Sequence, residues 1–363
     1  MNYFAPAFRV EVNGTTLEAD VSMNIEQVQV VSKPDTIDTF SFTIANALPK
    51  LRWTHTSDGD LFAQAKSVKI SMGYQDQLAL MIEGEITQIN PSFPDGGVPS
   101  LAIEGHSLMH RLQGTNRTRT FQKTTDQQIV DQMARDAGLQ SKVEDNGSQY
   151  EYLMQANQTD LEFLRERAKH LHYEVVVENK TLIFRKSQEA EEDKKYTLVW
   201  AAMPKAQLDG PKTLPLISCN LNMNTLAPPT KVEVRGYDVK NKKAFVSQAG
   251  SSDQTSKMSG KQTGADVAAS FQRDRQHTHV VSTFQSQQEV DDAAKARYNN
   301  KAMDLVSGGV STIGTPDLRA GQIVQLRGVG LRFDGNYRIE EATHSIGSSG
   351  YQTSLNLKRN SVS

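Results

Sequence analysis

The chain has 363 residues, with 40 Lys+Arg against 42 Asp+Glu and a net charge of -2. That length allows two or three domains with cores of their own, and the near balance of charge gives no electrostatic reason for nucleic acid or an anionic membrane as the main partner. The single cysteine, Cys219, excludes an internal disulfide, which suits a reducing cytoplasm, and no motif around it marks a nucleophile.

The opening, MNYFAPAFRVEV, has no basic segment followed by an apolar run, so no secretory signal is expected and assembly in the cytoplasm is. No stretch approaches the roughly 18 apolar residues of a membrane span. From Phe8 the sequence alternates, with Phe8, Val10 and Val12 on one face, and Asn13-Gly14 supplies a hairpin turn. Further strands are expected at residues 25–32, 39–46, 67–74, 81–90 and 99–107, between clusters of Pro, Gly and Asp. Six short strands so spaced predict a small barrel or sandwich.

The period then changes. In TTDQQIVDQMARDAGL, Thr125 and Gln128 form a capping box, Ile129, Val130, Met133 and Ala137 share a face, and Gly138 marks the end. TDLEFLRERAKHLHY repeats the device with Thr159, Glu162 and the stripe Leu161, Leu164, Ala168 and Leu171. The strands YEVVVEN and TLIFRK close this α+β unit. SQEAEEDKK reads as an exposed connector. Strands resume at LISCNLNMN and TKVEVRGYD, and residues 246–267, poor in large apolar side chains, read as a long loop. Ser286 and Glu289 open a helix expected to run to Gly308-Gly309. Three strands then occupy Gly314 to Asn360.

Residues 66–105 and 321–359 repeat one another. VKI before Gly73 matches VQL before Gly328, EGEITQI with Gly84 and Ile86 matches DGNYRIE with Gly335 and Tyr337, and SLAIEG matches SLNLKR. Upstream, VQVVSKPDTIDTFSFTIAN is set against LNMNTLAPPTKVEVRGYD as a second shared strand pair. Weak identity in a constant order is what a diverged duplication leaves. The fold class is therefore α+β, mainly β: two related small β-barrels plus two α+β inserts. The expected division is a first barrel over 1–113, an insert over 114–190, a second barrel over 191–244 and 312–363, and a second insert over 245–311.

Gly314, Pro316, Leu318, Gly321, Val324 and Leu326, followed by Phe333, Asp334, Gly335, Tyr337, His344, Tyr351, Leu355 and Leu357, carry a resemblance, joined by VEVRGYD and the helix pair. In these segments the chain resembles the phage late control protein D family and the related hub half of valine-glycine-repeat proteins, the central hub of contractile tails and injection particles. The resemblance implies a homotrimeric ring of six barrels around a pore. It also implies a hexameric tail tube protein, a trimeric spike protein and baseplate wedge proteins as partners, with a lumen open to cargo. Larger members continue into an oligonucleotide-binding-type barrel and a needle, so with this chain ending at Ser363 a separate polypeptide is expected to form the tip. Gly84, Gly321, Gly335, Tyr337 and Tyr351 are taken as structural or interface positions.

No catalytic, cofactor or metal residues are assigned, and the chain is not read as an enzyme. His170 with His172, and His277 with His279, have a spacing that puts both imidazoles on one strand face, but no third or fourth ligand lies nearby. His106 and His110 have no catalytic partner. GVGLRF lacks the third glycine of a dinucleotide fingerprint and reads as a hairpin turn. Glu83, Glu85, Glu340 and Glu341 are read as solvating residues, and Trp53 and Trp200 as core or interface anchors. A tail-associated cell-wall hydrolase and a carbohydrate-binding tail module remain the alternatives.

Overall fold

In the computed structural model, residues 5–45, 60–75, 77–144, 147–187, 196–200, 212–238, 241–269, 275–281, 284 and 286–363 are described. The first module is made by alternation. Val10 and Val12 of β1 (Pro6–Val12) point into a core, and the chain reverses at Asn13 and Gly14, whose φ values of 49° and 78° are what a two-residue hairpin turn needs, into β2 (Thr15–Thr16). A helical turn, α1 (Ala19–Ser22), precedes β3 (Ile25–Ser32) and β4 (Thr39–Ala45), and then come β5 (Ser67–Tyr74), β6 (Gln77–Ser92) and β7 (Ser100–Ser107). These strands line up antiparallel in the order β1-β5-β6-β7-β4-β3. Phe40, Phe42 and Ile44, every second residue of β4, are buried, and Phe42 meets Phe62 edge-on at 5.8 Å.

Beyond a short 3-10 segment lie β8 (Arg117–Thr125), α2 (Asp126–Asp136), β9 (Gln140–Val143), β10 (Gln149–Gln158), α3 (Asp160–Leu171), β11 (Tyr173–Glu178) and β12 (Thr181–Lys186). Both capping boxes form: Gln128 N donates to Thr125 Oγ1 at 3.3 Å, and Glu162 N to Thr159 Oγ1 at 3.2 Å, each answered by the N3 side chain accepting from the cap backbone. Ile129, Val130 and Met133 of α2 pack with Leu161, Leu164 and Ala168 of α3 in one core. His170 lies in the helix expected from TDLEFLRERAKHLHY and His172 caps its end, so the strand face that their H-x-H spacing would need is not there. The cap at Thr159 drives a helix through His170, and His172 ends it in the left-handed conformation with φ 57°.

The second module starts with β13 (Tyr196–Val199) and β14 (Thr213–Met223). Its sequence is then interrupted by β15 (Lys231–Asp238), β16 (Lys243–Gly250), β17 (Gln262–Thr263), α4 (Gly264–Ala269), β18 (Gln276–Val280) and α5 (Gln287–Ala302). It resumes with β19 (Val306–Ile313), β20 (Ile323–Arg327), β21 (Gly335–Gly347) and β22 (Gly350–Arg359), followed by β23 (Ser361–Val362). The order β13-β20-β21-β22-β19-β14 closes on itself through β13 and β14, forming a six-stranded barrel around Leu198, Leu326, Tyr337 and Leu355. Strand for strand this is the order of the first module, so the repeat read in residues 66–105 and 321–359 falls on β5, β6, β7 and β20, β21, β22. One difference is that β13 runs parallel to both neighbours, whereas β1 is antiparallel to β5.

Three expectations need correction. Val232–Asp238 is not a barrel strand: β15 is the centre of a separate sheet, β16-β15-β18, whose Val232 and Val234 pack on Val290, Ala294 and Tyr298 of α5. Alternation marked it correctly as a strand but carried no information about its partner; the counterpart of β4 is β19. Gly308 and Gly309 stop no helix, since they lie inside β19, where a Cβ on Gly308 would overlap Asn220 O of β14. Residues 246–267 are not one long loop, because β17 pairs with β23, Thr255 N donates to Asn299 Oδ1 at 2.9 Å and Met258 is buried. Polar hydrogen bonding orders this segment where apolar burial is scarce. Residues 188–195 of the connector, and Trp53, lie outside the described residues.

The two modules share β21. Its first residues pair with β20, Ala342–Ile346 pair with β3 of the first module, and β22 runs along its other side. Ile346 and Tyr351, the cross-strand pair beside the β21–β22 turn, are buried in the first module's core.

Candidate assembly site and the junction between modules

Arg319, in the segment entering β20, builds the joint between the modules. Its guanidinium donates to Leu80 O at 2.8 Å and Met81 O at 3.0 Å, capping two carbonyls of β6. Beside it, Glu174 of β11 is buried and accepts from Arg185 at 2.8 Å and from Arg338 of β21 at 2.6 Å, so the insert is bolted to the second module by a desolvated ion pair. Asp35 accepts from Val175 N at 2.7 Å, tying the β3–β4 loop to the same strand. Where the three units meet is a cavity of about 400 Å³ lined by Asp38, Glu83, Glu178, Arg185, Arg319 and Gln322 among others.

Burial pushes the Asp38 carboxyl up to about 7, against the lowering effects of the Lys33 N–H and the nearby Arg319. The folded chain therefore holds a proton that the unfolded chain releases at its ordinary value of 3.8. Stability from this group is full below that value and is lost as pH rises toward about 7. Asp38→Asn should flatten the fall in urea midpoint between about pH 4.5 and 7.5; a slope equal to that of the unmodified protein would refute it.

The five positions singled out in the sequence all lie in the interior. A Cβ on Gly84 would meet His106 O and, at 3.1 Å, the Phe40 ring, so β6 and β7 require its absence. Gly321 has φ +84°, and a Cβ there would stand 3.2 Å from the Glu174 carboxylate. Gly335 and Tyr337 come together at Arg359, whose guanidinium packs over the Tyr337 ring at 5.4 Å and donates to Asp334 O at 2.9 Å. The Tyr351 ring lies tilted against Tyr74, with centroids 5.8 Å apart, and Tyr74 Oη donates to Gly314 O at 2.8 Å. His344 Nε2 donates to Leu318 O at 2.8 Å, leaving Nδ1 to accept from Tyr351 Oη at 3.0 Å. Burial, with Arg319 nearby, holds this imidazole neutral down to about 3.

Arg319, Arg338, Glu174 and Arg359 were missed, since charged residues in a strand-rich sequence read as surface; Arg338, set between Tyr337 and Ile339 in an apolar alternation, was the one visible hint. The carboxylates read as solvating are paired instead. Glu83 faces Lys69 at 3.8 Å and Lys180 at 3.5 Å, Glu85 binds Arg111 and lies 3.1 Å from His110, Glu340 takes Arg338, and Glu341 takes Lys33 at 2.7 Å. His106 Nδ1 is 2.8 Å from Thr87 Oγ1, and His277 and His279 sit on β18. Among the described residues no group of three or more His, Cys, Asp or Glu is placed to hold a metal ion, and no helix is long and apolar enough to cross a membrane. Cys219 is half-buried, and burial pushes its thiol up. Trp200 is exposed.

The fold is shared with tail proteins. Similar solved structures are the 43 kDa tail protein of prophage MuSo2 from Shewanella oneidensis (TM-score 0.72, 10% identity, 98% of each chain covered) and a tail protein from Neisseria meningitidis MC58 (0.66, 14%, 98% of this chain and 97% of that one). A third is an E. coli type VI secretion component described as similar to the T4 bacteriophage tail proteins gp27 and gp5 (0.57, 11%, 97% and 77%). At these identities the likeness is one of fold. No curated protein matches the sequence. The family model described as the Alg8 N-terminal domain matches residues 5–348, nearly the whole chain, and the chain belongs to that family.

Proposed function

We propose that the chain is the structural central hub of the baseplate of a contractile tail or injection particle, of the late control protein D and valine-glycine-repeat type. In this reading it acts by assembly and not by catalysis, as a homotrimer joining a hexameric tail tube protein to a trimeric spike protein, with baseplate wedge proteins around it and a lumen open to cargo. It is assembled in the bacterial cytoplasm into the tail particle.

The observation that supports this best is the identical strand order of the two modules. Two unequal proteins of threefold and sixfold symmetry meet with few mismatched contacts when one of them carries an internal repeat, because three copies then present six similar faces. Burial of the five singled-out residues fits a chain whose special positions serve architecture. The domain division belongs to the same proposal, with 1–113 and 114–190 as read from the sequence and the second insert running from about residue 224 to 305 between β14 and β19.

Purified protein should have three times the mass of one chain by light scattering, and electron micrographs should show a ring with pseudo-sixfold density. Interfaces that hold such a ring bury about 2,000 Å² or more. A stable monomer, or turnover on peptidoglycan, would overturn the reading.

A further inference from the structure

The connection between β20 and β21 holds GVGLRF, the stretch that fails as a dinucleotide fingerprint. In the first module the corresponding strands, β5 and β6, are joined through two residues, the last rung being Tyr74 with Gln77. In the second module the last rung is Leu326 with Gly335, and residues 327–334 stand between. A tight turn is enough to close this corner of the barrel, so closure does not need the longer loop.

The loop is rigidly built. Gly328 and Gly330 have φ of 80° and 101°, and Phe333 N and Asp334 N both donate to Gly330 O at 2.8 Å. Val329 and Phe333 pack on the barrel core from either side of Leu331, which is 87% exposed. From beneath, Arg359 donates to Asp334 O at 2.9 Å and Tyr337 Oη to Phe333 O at 2.7 Å. Arg359 is 0% exposed and, among the described residues, forms no ion pair; the bonds it makes go to the carbonyls of this loop. A desolvated cation without a counter-charge costs stability, and here it fixes the position of an apolar tip in water. A single exposed leucine is ordinary on a protein surface, but one held in place by a buried guanidinium is not.

Charge and symmetry narrow the partner. The exposed cations Arg332 and Arg327 flank Leu331, and Trp200, 40% exposed, stands beside them with its backbone N–H on Arg327 O at 3.0 Å. The loop's one acid, Asp334, is half-buried and accepts from Val329 N at 2.9 Å. The outward surface is therefore apolar with a basic edge, which fits an apolar pocket edged by carboxylates. In a ring of six barrels only the second barrel of each chain carries the loop, so the ring presents three of them. A sixfold partner could use the loop at half of its positions, a threefold partner at all.

We propose that the β20–β21 loop is a docking finger, in which Leu331 enters an apolar pocket of a threefold spike protein and Arg332 pairs with a carboxylate at the pocket's edge. The inference rests on the hub reading and names the face of the ring that the spike takes. Because the loop is held before contact, docking loses little ordering entropy.

The test is Leu331→Asp with Arg332→Glu in the full-length chain, expressed with the other tail genes of its cluster in place of the unmodified chain. Val329, Phe333 and Arg359 are untouched, so the melting curve and trimer mass should stay the same, while the fraction of particles bearing a spike in electron micrographs falls at least about tenfold. In a second arm, particles carrying Arg332→Lys are treated with a carbodiimide, which couples an amine to a carboxylate in contact with it. Mass spectrometry should then find the peptide bearing position 332 joined to an Asp or Glu of the spike chain. If the double variant keeps both its trimer and its spikes, the hub reading stands and the finger falls. Coupling to the tube protein or to another copy of this chain also overturns the finger, as does loss of the trimer in a double variant that still melts normally. An unmodified protein that stays monomeric, or enters no particle, sinks the hub reading and the finger together.

Discussion

Gly335→Val is expected to leave little folded protein at 37 °C. Gly335 has φ +143°, a conformation that side chains rarely adopt, and a Cβ there would stand 2.5 Å from one Arg359 nitrogen and 2.7 Å from Cζ. Arg359 is 0% exposed. Its guanidinium cannot swing into water, because it is held under the barrel by Asp334 O and the Tyr337 ring. Backbone strain and the displaced buried cation together should cost at least about 3 kcal/mol. Gly350→Val is the control: φ is +92°, yet nothing lies within 4 Å of the added carbon, so strain acts without a clash. Urea unfolding of the two variants separates the effects, and equal midpoints would show that the Arg359 contact is not what Gly335 protects.

Arg167→Met should cost about 3–5 kcal/mol, because it removes the cation from a carboxylate that stays buried. Arg167 of α3 donates to both oxygens of Asp126, at 2.9 Å and 3.1 Å, and lies over the Tyr150 ring at 4.3 Å, while Tyr150 Oη donates to Asp126 at 2.8 Å. The pair joins the start of α2 to the middle of α3. Asp126→Leu combined with Arg167→Met should recover much of the loss, since apolar side chains of similar size leave no charge stranded. Additive losses in denaturant titrations would mean that the two side chains do not act as a pair.

Local signals in the sequence were read well because their causes are local. The boxes at Thr125 and Thr159, the Asn13-Gly14 turn and the alternation in β1 each depend on a few consecutive residues, and the structure contains them all. Partnership was harder. TKVEVRGYD alternates as a barrel strand would, and nothing in its own residues says that α5, fifty residues on, will cover it. The same limit hid the joint. Gly321 and Tyr351 were picked out for backbone and aromatic reasons, but their neighbours Glu174, Arg319 and Arg338 come from segments far apart in the chain, and a charge looks the same in sequence whether it is solvated or desolvated. The repeat was legible in β5, β6, β7 and β20, β21, β22, where glycine spacing survived, and was lost at β4 and β19, where the long insert displaced the expected match.

The strand held in common by both modules also has a mechanical side. A pull along the strand direction loads the Ala342–Ile346 rungs to β3 side by side, in shear, and the buried Ile346 and Tyr351 resist the same displacement. A linker of coil would stretch under that force, and a hinge would swing. Along β21 the link is neither coil nor hinge but one continuous strand laddered to β20 at one end and to β3 at the other, so force applied along it passes directly from one module into the other.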